Sequence, residues 1–121
     1  MRYLFLAIIF LGCHAGKKAS TQTECYTGKL LVKGICSQRV ISVEDGSTAG
    51  LSVNPAWVNP FSGDTLRNVF SVENICDFPP EIDSGVVFKF RISKKTPSDC
   101  ITCKAYTPVP DEKNIIEVCV E

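Results

Sequence analysis

Histidine is nearly absent from this chain. The single one, His14, stands in a polar N-terminal stretch, which removes imidazole general bases, histidine-dependent triads and imidazole metal sites from the rest of the sequence. An excess of one charge is missing too: 13 Lys and Arg stand against 13 Asp and Glu, so a nucleic-acid partner has little electrostatic support. There is no D-x-D-x-D-G loop for calcium and no second close cysteine pair to complete a zinc site. No long stretch repeats apolar residues at helical spacing, which argues against a helical domain. The unbroken apolar run from Tyr3 to Leu11 is nine residues long, about half of the roughly 20 that a membrane-spanning helix requires.

That run follows Arg2 and leads into Gly12, Cys13, Ala15 and Gly16, before Lys17 and Lys18. A basic residue, a short apolar segment and a small-residue site are the parts of an export signal. Gly12-Cys13 resembles the lipobox of bacterial lipoproteins, in which the cysteine is acylated on sulfur and becomes the mature N-terminus, although Phe10 and Leu11 depart from the usual Leu and small residue. Cleavage after Ala15 competes, with Cys13 and Ala15 as the small residues. The favoured division is a signal peptide over 1–12, a lipid on Cys13, a polar tether over 13–24 and one domain over 25–121. It places the protein in the cell envelope, in the periplasm or at the outer membrane, anchored through the lipid, with a secreted form as the alternative.

Cysteine, by contrast, is plentiful. Setting Cys13 aside from the seven leaves Cys25, Cys36, Cys76, Cys100, Cys103 and Cys119, an even set suited to three bridges in an oxidising compartment, with 15 connectivities open. A domain this small has a modest core, and each bridge contributes about 2–4 kcal/mol.

The domain has a period of two. In "VVFKFRIS", Val86, Phe88, Phe90 and Ile92 share one face and Val87, Lys89, Arg91 and Ser93 the other, as in a half-buried antiparallel strand. "YTGKLLVKGIC" sets Tyr26, Leu30, Val32 and Cys36 opposite Lys29 and Lys33, with Gly28 and Gly34 as bends or bulges. Weaker strands are expected over Arg39–Val43, Asn68–Asn74, Cys100–Tyr106 and Ile115–Val120, separated by Asp45-Gly46, Ser62-Gly63-Asp64, Pro79-Pro80 and the stretch from Pro108 to Asn114. The fold class is therefore all-β: a small disulfide-stapled antiparallel barrel or sandwich of five or six strands, with an OB-like barrel as first choice because closure removes edges.

Chemistry is sparse. "CITC", Cys100 to Cys103, has the spacing of a redox pair but lies in a β-leaning stretch without the helix N-terminus that activates such a thiolate, so two structural half-cystines are expected. Glu44-Asp45 and Asp111-Glu112 flank turns, where acidic residues are ordinary. "NPAWVNPFSGDT" repeats Asn-Pro around the only tryptophan. Trp57 reads as an apolar lid over a barrel mouth, and Trp57 with Phe61 as the alternative aromatic binding platform. Lys89, Arg91, Lys94 and Lys95 read as a solvated basic strip.

"CYTGKLLVKGIC", "NICDFP", "FKFRI" and "CITCKAYTPVPDEKN" resemble a group of small uncharacterised exported bacterial proteins, often with lipoprotein signals. The resemblance implies an envelope location and a compact cysteine-containing domain, and no activity. Together these readings point to a binding or structural module of the bacterial envelope rather than an enzyme, with no cofactor, no metal and no nucleic acid. Its partners would be a membrane, through the N-terminal lipid, and an envelope protein or small ligand. The alternatives are a thiol-disulfide oxidoreductase using Cys100 and Cys103, or a secreted inhibitor-like scaffold.

Overall fold

The alternation in the strongest strand holds at Phe88 and Phe90 but not at its ends, where Val86 and Ile92, expected on the buried face, are exposed. In the computed structural model, which describes residues 25–120, the strand Val87–Ile92 buries Phe90 completely and Phe88 partly, while Val87 and Lys89 face solvent. The expected signal peptide, the acylated Cys13 and the tether lie outside the described residues. In chain order the strands are β1 (Tyr26–Lys33), β2 (Arg39–Val43), β3 (Trp57–Val58), β4 (Thr65–Leu66), β5 (Val69–Val72), β6 (Val87–Ile92), β7 (Lys113–Asn114) and β8 (Ile116–Val118), with one 3-10 turn at Ile75–Asp77.

Six of them form one sheet in the order β7-β5-β2-β1-β6-β8, and β3 pairs with β4 apart from it. β5, β2 and β1 are successive antiparallel neighbours, and β6 returns by a long connection to lie beside β1, which is Greek-key wiring. A single residue separates β7 from β8, yet they stand at opposite edges of the sheet. On one side Ser71 and Glu73 donate to the carbonyls of Glu112 and Asn114, at 2.8 and 3.0 Å; on the other, Ser93 donates to Ile115 O and Cys119 to Lys89 O, both at 2.9 Å. One segment thus bridges both edges and curls the sheet into a half-barrel. The fold is all-β and disulfide-stapled.

Leu30, Ile41, Val43, Phe70, Val72, Phe78, Phe90 and Ile116 fill the inside. Phe90 packs against Phe70 and Phe88 with ring centroids 5.6 and 6.0 Å apart. β2 and β5 are buried on both faces, since Val40 and Val69 on the outer side are also fully covered. Gly28 is not the bend the sequence suggested: its register with Phe88 and Val43 is unbroken. A Cβ there would lie 2.7 Å from Phe90 Cε1 and 2.9 Å from Ile41 Cγ2, so the glycine makes room for the Phe90 ring. The irregularity comes at Leu31, between the pairs Leu30↔Ile41 and Val32↔Val40. This bulge turns Val32 to the outer face with Val40, away from Leu30, with which it was expected to share a side.

Two buried asparagines continue the ladder where backbone partners run out. Asn74 Nδ2 donates to Ile116 O at 2.7 Å, and Ile116 N–H donates to Asn74 Oδ1 at 3.0 Å. Asn114 brackets Ser52 in the same way, accepting from its N–H at 3.0 Å and donating to its carbonyl at 2.7 Å.

Candidate interaction surface

The stretch expected as a strand over Cys100–Tyr106 is not one. From Thr96 through Pro110 the chain has no strand, turn or bend, and from 94 to 111 no backbone group bonds to another backbone group among the described residues. The positions beside β5 and β6 are taken by the segment 112–119, which forms β7 and β8. The strap is instead riveted by disulfides. Cys76–Cys100 ties it to the 3-10 turn with Cα atoms 5.7 Å apart, and Cys36–Cys103 ties it to the β1–β2 turn at 5.0 Å. The third bridge, Cys25–Cys119, joins the start of β1 to the end of β8. All six cysteines expected in bridges are so paired, and Cys100 and Cys103 are bonded to different elements rather than to each other.

Around the strap lie exposed apolar side chains. Ile101 is fully exposed, and Ile35 at the β1–β2 turn, Phe61 and Tyr106 are each more than two-thirds exposed. Phe61, Tyr106 and Ile35 are linked: Phe61 meets Tyr106 edge to face at 6.3 Å, Gln38 Nε2 donates to Ala105 O at 3.0 Å, and Ala105 N–H donates to Cys36 Sγ at 3.1 Å. Ile35 adjoins Cys36 and so sits beside the Cys36–Cys103 bridge.

The Asn-Pro repeat explains how Phe61 is presented. Ala56 N–H donates to Asn54 Oδ1 at 3.0 Å and Phe61 N–H to Asn59 Oδ1 at 2.9 Å. Each Asn side chain thus closes its own turn while proline fixes the next φ. The second turn, finished by Gly63 at φ +76°, joins β3 to β4, with Trp57 paired opposite Leu66. Trp57 is half-buried and stands outside the main hydrophobic cluster. It is a wall of this hairpin, not a lid over the core. Of the expected aromatic platform, Phe61 is free at the tip and Trp57 is not.

A cleft of about 480 Å³ opens between the 3-10 turn, the chain after β6 and the end of β8, lined among others by Asp77, Ile82, Lys95, Ser98 and Glu117. Two of its carboxylates, Asp77 and Glu117, are engaged. Ser98, through its hydroxyl and its N–H, holds Asp77 below the usual carboxylate range, and the hydrogen bond from Arg91, at 2.6 Å, does the same for Glu117. Within the basic strip, Arg91 and Lys95 share the single carboxylate of Glu117, and Lys89 donates to the neutral Thr27 Oγ1. Of the acidic turn residues, Asp45 does more than face water: it accepts the Thr27 N–H at 2.6 Å, which lowers its pKa. Among the described residues no group of three or more His, Cys, Asp and Glu is placed to hold a metal. No protein-family model, curated protein or solved structure matches the chain.

Proposed function

We propose that the protein is an exported, lipid-anchored binding module of the bacterial envelope, one of the small exported proteins it resembles, with an OB-like barrel as its body. Its apolar surface of Ile35, Phe61, Ile101 and Tyr106 meets an envelope protein. The observation that carries this reading is the position of that surface. Cys25, where the tether would join, stands at the start of β1 and Ile35 just past its end, a strand length of roughly 26 Å at the usual rise. In a domain held by Cys13, Ile35 and, through Ala105 beside Cys36, the Phe61–Tyr106 pair therefore lie at the end of β1 far from the attachment, where exposed apolar side chains mark contacts with other proteins.

Membrane fractionation tests the anchor: the intact protein should carry a diacylglyceryl group on Cys13, and Cys13→Ser should release it into the soluble fraction. A photo-crosslinking residue at position 101 should trap a discrete envelope protein that one at the exposed Val87 does not. A mature chain starting at Gly16, or identical adducts from both positions, would overturn the reading.

A further inference from the structure

Cys100 and Cys103 are three residues apart in a segment without turns, so their Cα atoms stand roughly 10 Å apart at the rise of an extended chain, beyond disulfide reach. Odd spacing in an extended chain points them to opposite sides, and their bridges run to different elements, the 3-10 turn and the β1–β2 turn. Bonding them to each other requires the strap to leave the barrel and fold into a tight turn. The strap therefore has two alternative bonding arrangements that exclude one another.

We propose that this pair is a thiol-disulfide exchange site through which a dithiol releases the strap. Attack falls on Cys103, which is exposed, and not on its partner Cys36, which is 3% exposed. The leaving sulfur is prepared, because the Ala105 N–H donates to Cys36 Sγ at 3.1 Å and stabilises the thiolate as it forms. The dithiol's first sulfur bonds Cys103 Sγ and Cys36 leaves as thiolate. The second sulfur closes the cyclic disulfide and frees the Cys103 thiolate. That thiolate attacks the exposed Cys100 Sγ, expelling Cys76 and forming Cys100–Cys103. In sum, one dithiol loses two electrons and two protons, Cys36 and Cys76 take the protons as thiols, and two protein disulfides become one. The last step outpaces further bulk reduction because attacker and target share one short segment at high effective concentration. Both strap rivets are thus lost to one equivalent of reductant, which frees Ile101 and Tyr106 from the barrel and removes the wall that Lys95 and Ser98 give the cleft.

Limiting dithiothreitol, acid quench, alkylation and peptide mapping of the intact domain test this. The expected two-electron product is alkylated at Cys36 and Cys76, retains Cys25–Cys119 and contains a Cys100–Cys103 bridge. Ala105→Pro, which deletes the N–H on Cys36 Sγ, should slow the first cleavage several-fold, while Lys104→Ala should not. Alkylation at Cys36 with Cys103, at Cys76 with Cys100, or loss of all three bridges together would overturn the proposal, as would an unchanged rate in Ala105→Pro.

Discussion

Replacing Asn74 with alanine should open the half-barrel at the point where one segment holds both edges. Asn74 is 4% exposed and Ile116 3%, and the carboxamide satisfies both backbone groups of Ile116, at 2.7 and 3.0 Å. Truncation leaves a buried N–H and a buried C=O without partners, and each such group costs about 1–3 kcal/mol. The expected loss is about 2–5 kcal/mol, read as a lower urea midpoint with unchanged slope in the oxidised protein. The Ile116 amide should also lose more hydrogen-exchange protection than amides in β1 and β2. Asn74→Asp separates the two bonds: it keeps an acceptor for the Ile116 N–H but turns a carboxylate oxygen toward the Ile116 carbonyl. It should be at least as damaging as alanine at neutral pH and recover on protonation. A midpoint for Asn74→Ala corresponding to less than about 0.5 kcal/mol, the range of ordinary surface changes, would refute the closing role.

Gly28→Ala should destabilise by about 1–3 kcal/mol through overpacking against Phe90 and Ile41, and Phe90→Leu should cost less in that background than alone, both read from urea melts. Trp57→Ala should cost clearly less than the roughly 3–5 kcal/mol of a fully buried aromatic, and Trp57 fluorescence should be partly accessible to quencher, because the side chain is only half-buried. Asp45 has its folded-state pKa lowered chiefly by the Thr27 N–H. Its stabilisation is therefore complete above the unfolded carboxylate value, about 4, and is lost as pH falls through the lower folded value. Asp45→Asn should flatten that part of the acid-unfolding profile, and an identical profile would count against the bond.

The period-two signal located β1 and β6, each with one face against the core, whereas β2 and β5, buried on both faces, and β8 were legible as short β-branched and apolar runs between turn residues. The bulge at Leu31 had no such signal, since the three consecutive apolar residues Leu30, Leu31 and Val32 fit either register. Cys100–Tyr106 misled for the opposite reason: its residues suit a strand, but a strand needs a partner, the sides of β5 and β6 are taken by residues further along the chain, and the strap is held by disulfides instead. The Asn-Pro repeat was visible, yet its meaning as two side-chain-closed turns depends on where Thr65 and Leu66 come to lie. Asn74 and Asn114 carry no local pattern at all; their value is set by Ile116 and Ser52, far away in sequence. The apolar surface gathers residues from the β1–β2 turn, the hairpin and the strap, which disulfides bring together and sequence spacing does not.

The course of the strap, the apolar surface and the release of the strap all depend on which cysteines are bonded. Proteolysis of the unreduced protein with free thiols blocked, followed by mass spectrometry of the linked peptides, tests this most directly. The account predicts Cys25–Cys119, Cys36–Cys103 and Cys76–Cys100 with no free thiol among the six. A native Cys100–Cys103 bridge would contradict it.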